Sequence, residues 1–273
     1  MSIRDKLMSY KEFHGLKDRE VPYEYTLEKE NNYLYYFGSK HIFNLKEAEE
    51  IRKPLKNFWK DFLENTDGQK FVFIEGTAKD VVPDQKFESE EEAIEKWGEG
   101  GLITYLARKE NIQVKGPEPG PKECAKRLEE KFSKEQIFYY YTIRSLAYRY
   151  KKRGNNRIED IDSFLEDLIS KWKDQLGWKD FDFSTSKLEE IHKNNFSGKF
   201  NPYDYKFFDA IRRPGWKSTI TNKIAQETGQ IRNQVIVEEI WKEINENKNV
   251  FTVFGLAHAY MQEPALRSLF GDN

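Results

Sequence analysis

The chain has 273 residues, enough for one sizeable hydrophobic core carrying a smaller inserted subdomain. Its 45 lysines and arginines nearly balance 47 aspartates and glutamates, which excludes a global electrostatic pull toward nucleic acid or an anionic membrane. The single cysteine, Cys124, excludes an internal disulfide and a cysteine-based zinc knuckle, and the 15% aromatic content argues against general disorder.

Charges interrupt residues 1–20 every few positions, so a signal peptide's apolar centre is missing, and no later run approaches membrane-spanning length. A soluble, cytoplasmic protein is the expectation. His14 lies in this polar N-terminal stretch and is assigned to the surface, as is His192 further on.

Four short apolar runs, 33–37, 71–74, 112–114 and 250–254, read as strands that are apolar on both faces. Such runs suit a mostly parallel central sheet flanked by helices, an α/β fold. Asn44-Leu45-Lys46-Glu47 resembles a capping box opening a helix that carries Ile51, Leu55, Phe58, Trp59 and Phe62, with Pro54 expected to kink or split it. The acidic run 88–92 suits a helix N-terminus, and 101–110 reads as a further helix.

The punctuation Gly116-Pro117-Glu118-Pro119-Gly120-Pro121 opens a mainly helical insert, 116–215, between core segments 1–115 and 216–273. Within it, Ile158, Ile161, Leu165, Leu168, Ile169 and Trp172 form one apolar stripe that should stop at Gly177. Residues 135–153 interleave tyrosines with Arg144, Arg149, Lys151, Lys152 and Arg153. Stacking on single-stranded nucleic acid ranks below ordinary packing with solvated tips, so no nucleic-acid partner is expected; the same surface is a candidate protein interface. A last helix, 230–246, carries Ile231, Val235, Ile236, Ile240 and Ile244 toward the final strand.

Three strands end in a side chain able to move a proton or bind metal: His41, Glu75 and His258. Ligand sites in open parallel sheets lie at the carboxyl ends of strands, so parallel pairing puts the three on one rim. Gly38 and Gly255 open two matching Gly-x-x-His turns and offer either close backbone approach or an unusual conformation. A helix leading into a parallel strand runs antiparallel to it. At about 1.5 Å per helical and about 3.3 Å per strand residue, Arg232 and Asn233 come level with His258. The same reasoning brings Glu99 and Glu118 toward the rim as second-tier members.

The ordered segments Tyr35-Tyr36-Phe37-Gly38-Ser39-Lys40-His41, Phe73-Ile74-Glu75, Ile231-Arg232-Asn233 and Val253-Phe254-Gly255-Leu256-Ala257-His258 resemble those of the TraB, GumN and Tiki group. That group belongs to a superfamily with the erythromycin esterases and ChaN-like proteins. The resemblance covers roughly 33–118 and 230–270. It implies a parallel α/β core with both histidines, the glutamate and the arginine facing one cleft. Tiki-like members are described as metal-dependent peptidases, whereas the erythromycin esterases use histidine to activate water without a required metal. TraB-type members often carry membrane segments near the C-terminus, which this sequence does not show.

The leading expectation is a hydrolase of a peptide or ester bond, with His41, Glu75 and His258 binding a divalent metal of open identity and Arg232 stabilising an oxyanion. Glu99 or Glu118 would serve as base or support. One alternative is a metal-free, esterase-like site with histidine as general base. Another is a regulatory protein that binds a small ligand or peptide without turnover. The expected partner is thus a small molecule or peptide, with no membrane; the oligomeric state is not legible.

Overall fold

The computed structural model describes residues 2–41, 45–77, 86–152, 158, 160–215 and 218–272, and the side chains of 45–48 and 152 are not among those described. The Asn44 capping box therefore lies outside the described residues. In chain order the elements are α1 (Ile3–Lys6), α2 (Tyr10–Gly15), β1 (Tyr23–Lys29), β2 (Asn32–Ser39), α3 (Leu45–Asn65), β3 (Lys70–Ile74), α4 (Glu90–Lys109) and β4 (Gln113–Lys115). There follow α5 (Pro121–Leu128), α6 (Lys134–Lys152), α7 (Ile161–Leu176), α8 (Thr185–Asn195), α9 (Tyr205–Arg212), α10 (Ile220–Asn245), β5 (Asn249–Gly255) and α11 (Leu256–Phe270).

Two compact units result: residues 1–119 with 232–273, and residues 120–231. The first is an α/β layer structure. Its sheet has the order β1-β2-β5-β3-β4 among the described residues, with β2, β5, β3 and β4 mutually parallel. Alternation along each strand divides the side chains between two helical layers. Tyr35, Phe37, Val72, Ile74, Phe251 and Val253 pack with residues of α3 and α4, whereas Leu34, Tyr36, Phe71, Phe73, Val250 and Phe254 pack with residues of α10 and α11. Both faces are covered, which is why the strands read as continuous apolar runs.

The edge strand β1 is antiparallel to β2 and was not expected. Tyr23, Tyr25 and Leu27 alternate with Glu24, Thr26 and Glu28, the pattern of a strand with one wet face, which a search for apolar runs passes over. Glu30 and Asn31 both have positive φ and close the hairpin.

Three helices also differ from expectation. α3 is one element across Pro54, since the helix tolerates the lost donor when the face bearing Leu55, Phe58 and Phe62 is buried. α4 starts at Glu90, capped by Ser89 and with Glu90, Glu91 and Glu92 in its first turn, and it is broken at Gly98 (φ 59°, ψ −138°). α10 starts ten residues before the expected Gln230, at Ile220, so the unit boundary falls within this helix rather than at 216. Its first half buries Ile224, Ala225 and Ile231 in the core of the second unit.

The second unit is helical. α7 buries Ile161, Leu165, Leu168, Ile169 and Trp172 and ends at Gly177 in the left-handed region (φ 67°). On α6, Tyr139, Tyr140, Tyr141 and Tyr150 are buried in the core of the second unit, leaving Tyr148 as the exposed tyrosine. His192, expected at the surface, is buried and lies 2.6 Å (Nδ1) from the Tyr139 hydroxyl. Burial lowers its pKa, which suits a neutral core imidazole. Among the described residues no helix is long and apolar enough to cross a membrane.

Candidate active site

The position of β5 between β2 and β3 sets the site. Their carboxyl ends are adjacent in the sheet, so the residues that follow them meet on one rim. His41 follows β2, Glu75 follows β3, and His258 lies in the first turn of α11 after β5. Glu75 Oε2 is 3.5 Å from His41 Nε2, and Glu75 Oε1 is 3.8 Å from His258 Nε2. One carboxylate thus stands between two imidazoles.

Gly255 permits this approach. A Cβ there would lie 2.8 Å from His41 Nε2 and 3.1 Å from Glu75 Oε2, and the Gly255 N–H donates to Glu75 Oε2 at 2.9 Å. Gly38 is required by close approach too, because its Cβ would meet Ala259 Cβ at 2.6 Å and Tyr23 O at 3.2 Å. The matching turns therefore do different work: one brings β2 against α11, and the other brings two functional groups together.

Behind Glu75, Arg232 Nη2 donates to Glu75 Oε1 at 3.2 Å and to Glu118 Oε1 in a short hydrogen bond. Glu118 arrives through an extension of the parallel pairing, the bridge between Thr77 and Glu118. Burial works against the charged guanidinium, but Glu118 and Glu75 outweigh it and hold Arg232 well above its ordinary pKa. Burial likewise opposes ionisation of Glu75; the charges of His258, Arg232 and His41 and the Gly255 N–H outweigh it and hold the carboxyl below its usual range. Around neutral pH, Arg232 and His41 supply that positive charge, since burial lowers the His258 pKa and keeps its ring neutral.

The two histidines have opposite environments. His258 is 8% exposed, and burial lowers its pKa from 6.5. Its Nδ1 lies 2.6 Å from Asn233 Oδ1, which also accepts from Gln262 Nε2 at 2.9 Å, while Gln262 Oε1 accepts from the Tyr36 hydroxyl at 2.8 Å. With the proton on Nδ1, the Nε2 lone pair faces Glu75 and the cleft. His41, by contrast, has a half-exposed ring with Glu99 Oε1 2.9 Å from Nδ1 and Glu75 near Nε2. The hydrogen bond to Glu99, aided by the charges of Glu75 and Glu99 and opposed by burial, raises its pKa to about 9. A ring with a carboxylate at each nitrogen is an imidazolium at neutral pH. Glu99 reaches it because the chain breaks at Gly98, one residue earlier.

All seven expected residues, His41, Glu75, Glu99, Glu118, Arg232, Asn233 and His258, thus lie in one connected cluster of the first unit. Their arrangement departs from the expected metal set. Among the described residues, the group whose ligand atoms all fall within 4.8 Å of one another is Glu75, Glu118 and His258, with Glu118 in the place expected for His41. Arg232 also does not line the cleft; it lies behind Glu75, bonded to both carboxylates. Sequence reading missed Gln262 and Tyr36. Gln262 sits four residues after His258 on α11, so helical spacing was the available signal.

His41, Glu75 and His258 open onto a cleft of about 690 Å³, a size suited to a small molecule or short peptide. Comparison with protein-family models, curated proteins and solved structures gives no match for this chain.

Proposed function

We propose that the protein is a hydrolase of an ester or amide bond that uses His258 as general base and His41 as general acid, without a required metal. One observation carries this reading: two imidazoles, one buried against the Asn233 amide and the other set between the carboxylates of Glu75 and Glu99, flank Glu75 in an open cleft. Environments that push two titratable groups apart assign the acid and base roles.

The neutral Nε2 of His258 takes a proton from water as the water oxygen bonds to the carbonyl carbon, and the carbonyl π pair moves onto oxygen. His41, a cation at the cleft, stabilises that oxyanion. On collapse the carbon-to-leaving-group bond breaks, and the His41 Nε2 proton passes to the leaving oxygen or nitrogen. His258 is then protonated and His41 neutral. Glu75, facing both Nε2 atoms, is placed to return the proton between them. Glu99 orients His41, Asn233 orients His258, and Arg232 with Glu118 balances the charge of Glu75. These roles and the residue order are compatible with the erythromycin esterase-like side of the resemblance.

A metal-assisted reading is favoured by the Glu75, Glu118 and His258 grouping, whose two oxygens and one nitrogen are a donor set suited to a divalent cation. Such an ion would lower the pKa of bound water. It would compete with Arg232 for both carboxylates, which is why the metal-free reading ranks first.

The test is a panel of activated esters and peptide amides assayed on chelator-treated protein, with His258→Ala and His41→Ala. The expected result is turnover that persists after chelation and falls by about 10²–10⁴-fold in each variant. Turnover that requires added divalent cation and survives His41→Ala supports the metal reading instead. A parent protein that turns over nothing, with or without metal, while retaining a bound ligand supports the non-catalytic binding reading.

A further inference from the structure

The cleft carries a second charged feature, set by burial. His258 is buried and Glu75 half-buried, so they form its floor, whereas Lys17, Arg19 and Lys40 line the same cleft and are exposed, forming its mouth. Among the described residues, none of these three cations is held in an ion pair. The Arg19 guanidinium lies 4.8 Å from the Phe13 ring centroid, a cation–π contact that orients it. Apolar lining comes from Phe13, Val21 and Leu256, and Val21 remains 49% exposed.

The charge sequence from mouth to floor is therefore directional. Three unpaired cations attract an anion at the entrance, and a concave low-dielectric wall focuses that field. Deeper in, the cations His41 and Arg232 are already matched by Glu75, Glu99 and Glu118, so the floor leaves no unmatched positive charge among the described residues for the same anion. We propose that the cleft selects ligands bearing a carboxylate at one end and an apolar body. The carboxylate lies at Lys17 and Arg19, the apolar part lies against Phe13 and Val21, and the ester or amide carbonyl is directed to His41 and His258. The reversed pose sets the ligand carboxylate beside Glu75, where the His41 cation is already shared between Glu75 and Glu99, and is disfavoured. Only the last element, the carbonyl, rests on the proposed hydrolase reading; the anion preference is a property of binding.

Calorimetric titration with N-acetyl-leucine and its uncharged N-methylamide separates the two claims. The acid is expected to bind about five- to tenfold more tightly at low salt, from two or three partly screened ion pairs. In Lys17→Ala/Arg19→Ala, checked for folding by circular dichroism, and in the parent at high salt, the difference is expected to shrink below about threefold. Equal or tighter binding of the amide, a preference that survives the double substitution, or no binding of the acid by about 10 mM overturns the proposal. Ester turnover without any acid preference sinks this inference and leaves the hydrolase reading standing. Acid preference in a protein with no turnover does the reverse.

Discussion

Asn233 Oδ1 lies 2.6 Å from His258 Nδ1, and this contact decides which edge of the imidazole meets the cleft. Asn233→Asp puts a charge at that position and favours the imidazolium, so the acid limb of kcat/KM should move up by about one pH unit or more. Asn233→Ala leaves two buried donors, on His258 and Gln262, without an acceptor. Urea unfolding should show a loss of about 2 kcal/mol or more. An unmoved acid limb in Asn233→Asp contradicts the assigned tautomer.

The paired roles of His258 and His41 set a pH profile. His258, with its pKa depressed below 6.5 by burial, must be neutral, and His41, raised to about 9 chiefly by Glu99, must be protonated. We expect kcat/KM to fall on the acid side as His258 protonates, to be flat through neutrality, and to fall again above about 9. Residual activity in His41→Ala should lack the alkaline limb. A profile still rising at the alkaline end reverses the acid and base assignment.

Stability should follow the same group. The folded-state pKa of His41 is raised from 6.5 to about 9, so its contribution is fully present below 6.5 and lost as pH rises through about 9. The thermal midpoint should therefore decline across that window in the parent. In Glu99→Gln the main cause of the shift is gone, and the decline should flatten. Equal slopes in the two proteins would falsify the Glu99 assignment.

Arg232 balances Glu75 and Glu118, whose side chains are 28% and 10% exposed. Arg232→Gln leaves two carboxylates close together and should cost about 2–3 kcal/mol, below the value for a fully buried pair because Glu75 keeps some water contact. Divalent cations should then raise the thermal midpoint of the variant more than that of the parent. If manganese or zinc stabilises the parent as strongly, the metal-assisted reading gains and the present ranking fails.

The two turn glycines should respond differently to alanine. At Gly255 the new methyl meets the far ends of His41 and Glu75, so hydrolysis should fall by about tenfold or more with little change in stability. At Gly38 it meets Ala259 Cβ and the Tyr23 carbonyl, which are fixed by the backbone, and stability should drop by about 1–3 kcal/mol. Activity assays beside chemical denaturation of the two variants check the contrast.

Much of the layer structure was legible because burial on two faces leaves a local mark. β2, β3 and β5 are apolar at nearly every position, and α7 shows its stripe from Ile161 to Trp172. β1 escaped because its exposed face breaks the run, and the start of α10 escaped because its apolar residues serve the other unit's core. His192 was misplaced since charged neighbours in sequence say nothing of Tyr139, 53 positions away, which receives its ring.

The sequence by itself determined that His41, Glu75 and His258 follow strands, and simple rise arithmetic brought Arg232 and Asn233 level with His258. Those inferences need only repeat distances, which backbone geometry supplies. Tertiary structure decided the rest: the antiparallel edge, the grouping of Glu118 rather than His41 with Glu75 and His258, and the placing of Arg232 behind the cleft. It also decided that one histidine meets an amide and the other two carboxylates. The physical reason is one of scale, since protonation and coordination turn on differences of an ångström between side chains brought together by separate loops.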